Sequence, residues 1–317
     1  MTLVRVAVVI PMWNQLDLTL RCLRSLERLT RQPEQVIVVD NGSRPDPRPA
    51  LEATCPGVKV LQLESNRGFA GGCNEGIRFA LAAGAEAILL LNNDAVADPG
   101  LLAEMLRPLD EDPRIGASGA KTLTDESPPR IHAAYGVVTF HGSLVRVEGW
   151  LEPDVTKFNV ARDVDSVSGG AMLLRRAALE AVGFFDERFF AYHEDVDWCT
   201  RARRLGWRIR YTPSAVVLHR MHASTGGGYR SPITYLVARN SVLFVRKNAT
   251  PFEALTFAVY TAGSLIKEAL YRWRMGELDG YRLRLRGLRD GLVGRPVPLA
   301  ELGLVGSSGA KQTPLAA

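Results

Sequence analysis

The stretch Ala87–Asp94, AILLLNND, decides the fold. Its five apolar residues run without the alternation of a half-covered strand, which reads as a strand buried on both faces. Three polar side chains, Asn92-Asn93-Asp94, then stop it at a single point. The same pattern recurs upstream. Val4–Ile10 is an apolar run rich in valine, ended by Pro11, and Val36–Val39 is ended by Asp40-Asn41-Gly42-Ser43. Val58–Leu63 makes another strand. Between these strands lie helical patterns, Leu16–Leu29 with leucines at 16, 20, 23, 26 and 29, and Phe69–Ala83. Such alternation predicts an α/β fold, a mostly parallel sheet with helices on both faces. Ligands of such sheets collect outside the carboxyl ends of the strands, where every polar cluster just named falls.

Downstream the pattern loosens. Residues 127–163 mix Pro, Gly and short apolar pieces and read as loop with short antiparallel strands. Ser166–Arg175 reads as a strand whose Gly169-Gly170 admits another backbone or a ligand. Val196–Leu205 reads as a helix, and Arg208–Tyr211 and Ala215–Leu218 as two short strands. From Ile233 to about Leu292 the chain is helical in pattern. The expected organisation is a catalytic domain over 1–225, with a nucleotide-binding part (1–120) and an acceptor part (121–225). A basic helical extension follows over 226–295, then a flexible tail over 296–317.

Composition narrows the function. With 46% hydrophobic and 23% charged residues, the 317-residue chain is neither disordered nor fibrous. Its formal charge of +5 is unevenly spread: residues 221–317 hold 13 Lys/Arg against 6 Asp/Glu, while the first 220 hold 26 against 28. A local basic surface is expected rather than a wrapping of nucleic acid, for which no module is visible. Cys22, Cys55, Cys73 and Cys199 form no zinc-spaced group, so free thiols are expected. The N-terminal apolar run is too short for a signal peptide, and no apolar stretch reaches a membrane span. A cytoplasmic protein, or one peripheral at the inner face of the cell membrane, is the expectation.

Four clusters can carry chemistry. Asp40 at a strand end can accept hydrogen bonds from a nucleobase or ribose, or simply cap a turn. Asn66-Arg67-Gly68 through Asn74 exposes backbone N–H groups suited to a diphosphate, or makes an ordinary glycine-rich connection. Asp94 can hold a divalent cation that bridges diphosphate oxygens, and a helix N-cap is better supplied by Asp98. Glu194-Asp195-Val196-Asp197 crowds three carboxylates, which raises at least one pKa and suits a general base; it also suits an acidic first helical turn. His219 ends a short strand and His222 follows it.

In order, VVIPMWN, VVDNGS, NRGFAGGCNEGI, LLLNNDA, SGGAMLLRR and FFDERFFAYHEDVDWCTRARRLGW resemble the family 2 glycosyltransferases, in their rhamnosyltransferase-like bacterial branch. The resemblance runs from about Val4 to His219. It implies a GT-A nucleotide-diphospho-sugar transferase fold and an enzyme that inverts the anomeric centre. It further implies that Pro11, Asn14, Asp40 and Asn41 line the nucleoside pocket, and that Asn66, Arg67, Gly68 and Asn74 flank the nucleotide. Asn93 and Asp94 stand at the family's D-x-D metal motif, with Asp94 as ligand and Asn92 where an Asp is common. His219 completes the shell of a divalent metal, Mg²⁺ or Mn²⁺. Asp195, beside Glu194, is the general base, and Gly169-Gly170 mark where donor and acceptor sugars meet. The implied partners are a nucleotide-diphospho-sugar, dTDP-rhamnose or a UDP-sugar, and a cell-surface glycan or lipid-linked acceptor of cell-envelope polysaccharide biosynthesis.

Two alternatives compete with this. A sugar nucleotidyltransferase needs a glycine-rich basic loop after the first strand, where PMWNQ stands instead. A catalytically inactive nucleotide-sugar-binding module leaves Asp94, Glu194 and Asp195 unexplained. In the basic helices, Arg and Leu alternate from Arg282 to Leu292, and Trp273 and Tyr271 lie beside Lys267, Arg272 and Arg274. Residues 264–295 therefore suit an anionic membrane surface, or a protein face such as a homodimer.

Overall fold

The computed structural model describes residues 4–141, 143–219, 228–275 and 278–305. The N-terminal half alternates strand and helix: β1 (Val6–Met12), α1 (Leu16–Leu26), β2 (Gln35–Asp40), α2 (Arg48–Thr54), β3 (Val58–Gln62), α3 (Gly68–Ala82) and β4 (Ala87–Leu91). These four strands lie in the order β3-β2-β1-β4 and are parallel throughout. Successive side chains of β1, β2 and β4 point to opposite faces, and both faces are covered. Val9, Val39 and Leu90 pack with Cys73 and Ile77 of α3, while Val8, Val38 and Leu89 pack with Leu23 and Leu26 of α1. α1 ends at Leu26, three residues short of the leucine pattern. There the Gln32 side-chain amide donates to the carbonyls of Leu26, Glu27 and Leu29, satisfying the helix end.

The second half completes the sheet with β5 (Ala95–Ala97), α4 (Leu101–Glu111), β6 (Ile115–Thr124), β7 (Ile131–Ala133), a separate β8 (Tyr135–Val138) and β9 (Val145–Glu148) hairpin, β10 (Arg162–Asp163), β11 (Ala171–Arg175), α5 (Arg176–Val182), α6 (Glu194–Arg204) and β12 (Arg208–His219). β11 runs antiparallel between β4 and β6, so its first residue, Ala171, pairs with the last of β4, Leu91. β12 lies parallel to β6, and its last residue, His219, pairs with Ala95 of β5. Strand starts and strand ends thus meet at one edge of the sheet.

Two expectations change. The two short strands at 208–218 are one strand, irregular between Thr212 and Val216 around Pro213, and β6 runs the full ten residues IGASGAKTLT. β6 escapes sequence reading because Gly, Ala, Ser and Lys carry little strand preference. Its burial is imposed by β11 and β12 on either side.

The C-terminal helices are α7 (Pro232–Asn248), α8 (Pro251–Met275) and α9 (Asp279–Val293). The expected boundary at 225/226 falls within 220–227, outside the described residues, as does His222. α7 is no detachable appendage: Tyr235, Leu236, Asn240, Phe244 and Val245 are buried against the segment 189–196 and its neighbours. α9 lies close along α7, where a Cβ on Gly287 would stand 2.5 Å from the Tyr235 carbonyl oxygen and one on Gly291 2.6 Å from that of Arg239. The tail expected to be flexible from residue 296 instead packs as far as Leu304, which is buried beside Val297, Leu299 and Leu302. Residues 306–317 lie outside the described residues. Among the described residues no helix is long and apolar enough to cross a membrane. All four cysteines are buried and unpaired.

Candidate active site

The end of β2 holds Asp40, fully buried, with one carboxylate oxygen accepting from the Ser43 N–H at 2.9 Å and the other without a partner. A buried carboxylate oxygen without a partner costs stability unless a donor meets it. Its rim is fixed by Asn14, in the left-handed conformation at φ 58°, whose N–H donates to Ser43 Oγ at 2.6 Å and whose side chain accepts from the Arg44 N–H. Asn41 accepts from the Arg67 N–H at 3.3 Å, and Pro11 and Asn41 crowd Gly72 so closely that a side chain there would collide. A cavity of about 310 Å³ opens beside them, lined by Gly42, Ser43, Arg44, Gln62, Leu63 and Glu64.

The second group stands at the end of β4. Asp94 Oδ1 and His219 Nε2 are 2.9 Å apart, yet Oδ1 accepts no aligned hydrogen bond and His219 Nδ1 has no partner. Two ligand atoms cis to one another in an octahedron with bonds of 2.0–2.1 Å stand about 2.9 Å apart, so the pair fits a small divalent cation. Among the described residues no three His, Cys, Asp or Glu side chains form such a group, leaving the remaining positions to a ligand or water. Asn92 Nδ2 lies 2.9 Å from the same His219 nitrogen. His219 stacks on His132 at 4.8 Å, and His132 meets Trp150 at 5.1 Å. Neither His132 nor Trp150 carried a sequence signal, because both sit in the irregular 127–163 segment.

Asp195, on the first turn of α6, is half-buried and accepts from the Gly169 N–H and the Val196 N–H, each at 2.8 Å. Gly169 leads through Gly170 into β11, and the Asn92 N–H donates to the Gly170 carbonyl at 2.9 Å. One continuous set of backbone bonds therefore ties Asp195 to the Asn92–Asp94 corner. A Cβ on Gly169 would press on Phe69 and Asp195, and one on Gly170 on Asn92.

The three crowded carboxylates divide their roles. Asp197 is wholly buried and structural, bonded to Arg201, Lys247 and Asn248. Glu194 is buried with one oxygen unpartnered, and burial, then the charges of Asp195 and Asp197, push its pKa well up. Burial also raises Asp195, while the Gly169 and Val196 N–H groups hold part of that rise back. Of the pair, burial pushes Glu194 up the more strongly, with no donor on one of its oxygens to offset it.

Other expected nucleotide contacts are placed elsewhere. Asn74 is buried and exchanges two hydrogen bonds with the Phe185 backbone, Arg67 pairs with Glu187 and Glu75, and Asn66 donates to the Leu304 carbonyl. Asn93 donates to Thr19 on α1. Each has a polar atom engaged in holding chain segments together, and Asn66 and Arg67 also line a cavity of about 760 Å³. Gly68, at φ 73°, allows the Phe190 carbonyl to approach, since a Cβ would stand 2.3 Å from it.

Sequence reading also missed Arg239 and Asn240. Phe190, Tyr192 and His193, just before Asp195, all have φ between 65° and 72°. Asn240 donates to the carbonyls of Phe189, Ala191 and Tyr192, Arg239 to that of Arg188, and His193 Nε2 meets Ser241 Oγ at 3.1 Å. The strained turn is held from α7.

Residues 7–183 match the family model described as Glycosyl transferase family 2. The chain belongs to the family 2 glycosyltransferases. It is 31% identical over 242 residues to the N-acetylglucosaminyl-diphospho-decaprenol L-rhamnosyltransferase of Mycobacterium tuberculosis, covering 71% of this chain and 78% of that one. It is 25% identical to the dTDP-rhamnosyl transferase RfbF of Shigella flexneri, over 71% of this chain and 75% of the relative. Among solved structures, the Pyrobaculum calidifontis mannosyltransferase PcManGT with GDP-Man and Mn²⁺ matches at TM-score 0.57 and 16% identity, over 91% of this chain and 87% of that one. GalNAc-T7 with UDP, GalNAc and Mn²⁺ matches at TM-score 0.61 and 15% identity, over 77% of this chain and 48% of that one. This family 2 glycosyltransferase thus has the GT-A fold and is an enzyme of the rhamnosyltransferase-like kind. The nucleotidyltransferase alternative falls with that membership.

Proposed function

We propose that this glycosyltransferase inverts the anomeric centre as it moves a sugar from a nucleotide-diphospho-sugar to a hydroxyl of a glycan or lipid-linked acceptor. The observation that carries this reading is the tether from Asp195 through Gly169 and Gly170 to Asn92, which links that carboxylate to the strand end carrying Asp94, itself 2.9 Å from His219. Asp40, with its open oxygen, accepts from the nucleobase or ribose, while Asn14 and Asn41 keep its rim in place. Asp94 and His219 would hold a divalent cation, Mg²⁺ or Mn²⁺, which would offset the charge that develops on the leaving diphosphate.

Asp195 takes the proton of the acceptor hydroxyl as that oxygen bonds to the anomeric carbon. The attack comes from the face opposite the diphosphate, and the bond from that carbon to the diphosphate oxygen breaks. Glu194, pushed up by burial more strongly than Asp195, leaves Asp195 the readier of the two to carry the charge the reaction needs. Gly169 and Gly170, without side chains, leave room for the two sugars beside that carboxylate. The names of the two relatives support dTDP-rhamnose as donor and a diphospho-polyprenol-linked sugar as acceptor.

The test supplies dTDP-rhamnose, UDP-sugars and GDP-mannose in turn, with Mn²⁺ and a synthetic N-acetylglucosaminyl-diphospho-prenol. The anomeric configuration of the product is read by NMR. Transfer from dTDP-rhamnose with inversion is expected. Retention of configuration would overturn the role of Asp195, and transfer from another donor alone would overturn the sugar.

A further inference from the structure

α8 is 25 residues long and has no buried residue. Its inward side is defined by contacts. Ala254 and Phe257 pack beside Phe140, and Arg284 of α9 reaches Ser264 and pairs with Glu268. About half a turn away lie Phe252, Leu255, Val259, Ile266, Leu270 and Trp273, recurring at three-, four- and seven-residue spacing. All six are exposed, Phe252 at 78% and Trp273 at 74%. An apolar stripe about 32 Å long on the outside of a folded enzyme marks a binding surface.

Charge selects the occupant. Lys267 and Arg274 are exposed along one edge of the stripe. The helix's two carboxylates are already engaged: Glu253 accepts from Thr250 and Glu268 holds Arg284. A second copy docking through α8 would therefore bring apolar side chains but no carboxylate for those cations. An anionic lipid surface supplies both, an acyl boundary for the stripe and phosphates for Lys267 and Arg274. Exposed Tyr260, Tyr271 and Trp273 suit the headgroup level. The helix lies on the surface rather than across it, since no described helix is apolar enough to span. On α9 the face of Gly280, Gly287, Asp290 and Gly291 is buried, and Asp290 accepts from the Tyr235 hydroxyl at 3.0 Å, so only its other side, with exposed Leu285 and Leu292, is open to share this surface.

We propose that the outward face of α8, from Phe252 to Trp273, docks the enzyme on an anionic membrane. The inference goes beyond the transfer reaction and stands on α8 alone. Vesicles of phosphatidylcholine, with and without one-third phosphatidylglycerol, are floated with the full-length protein. Binding to the anionic vesicles is expected, falling as salt rises. The double variant Lys267→Ala/Arg274→Ala should bind roughly 30-fold more weakly, about fivefold for each cation removed. Ile266→Glu should abolish binding, and because Ile266 is exposed the variant should melt like the parent. Absence of binding to either vesicle would overturn the proposal. So would a dimer in solution, by light scattering, that Ile266→Glu dissociates, since a second copy would then be the occupant.

Discussion

The side-chain amide of Asn240 on α7 donates to the carbonyl of Tyr192 at 2.8 Å, three residues before Asp195. The same amide reaches Ala191 and Phe189, so a single buried side chain spans the turn in which three non-glycine residues have positive φ. Such conformations cost of order 1–3 kcal/mol each and persist only when their surroundings fix them. Asn240 is therefore a positioning residue for the carboxylate at the start of α6.

Asn240→Ala should destabilise the protein by about 2–4 kcal/mol, since it strands buried carbonyls and releases the turn. At temperatures where the variant remains folded, turnover should fall at least tenfold while donor affinity by calorimetry stays within about twofold. A merely structural role would lower the melting temperature and leave turnover per folded molecule unchanged.

Asp195→Asn should preserve the Gly169 bond, because the amide oxygen still accepts, and keep donor binding nearly intact. Turnover should drop by about two to four orders of magnitude, the scale of a lost general base. Steady-state kinetics with the matched donor and acceptor decide it, and near-normal turnover would remove Asp195 from its role.

The buried pair makes a pH prediction whose sign is fixed. Glu194 has its folded pKa raised, so between the unfolded and folded values the native state binds the proton that the unfolded state has lost. Stability thus falls as pH rises from the ordinary glutamate range through the raised value, by about 1.4 kcal/mol for each pH unit crossed between the two. Glu194→Gln should flatten that fall and leave the protein more stable than the parent above the window. Denaturant melts between pH 4 and 8 measure it. An unchanged pH profile would show that Glu194 is not the proton holder.

Asp94→Ala and His219→Ala should each weaken metal-dependent donor binding, Asp94→Ala the more strongly because it removes the charged ligand. In His219→Ala the Mn²⁺ concentration for half-maximal activity should rise tenfold or more. Calorimetric titration of donor with and without Mn²⁺ checks both, and equal affinities in parent and variants would place the cation elsewhere.

The sheet was legible because the runs at Val6–Met12, Val36–Val39 and Ala87–Leu91 are apolar without alternation, the pattern that suits a strand covered on both faces. The Asp40, Asp94 and Asp195 clusters were legible because a strand end or helix start carrying several polar groups stands out locally. β6 was not, because its small residues gain strand structure only from neighbours on either side. The internal partners of Asn66, Arg67 and Asn74 were not legible for a related reason. Their position in the chain is that of a ligand loop, but their atoms are spent on Leu304, Glu187 and Phe185, more than a hundred residues away.

By itself, then, the sequence determined the strand-helix alternation, the polar strand ends and the family. Those depend on periodicity and on side chains that are neighbours in the chain. Tertiary structure decided how each of the three crowded carboxylates is partnered and which helix bears the open apolar stripe. Burial, desolvation and the direction of a hydrogen bond are set by residues far apart in sequence. Asp195, Glu194 and Asp197 are alike as letters. They differ because Gly169 meets the first, no donor meets an oxygen of the second, and Arg201, Lys247 and Asn248 occupy the third.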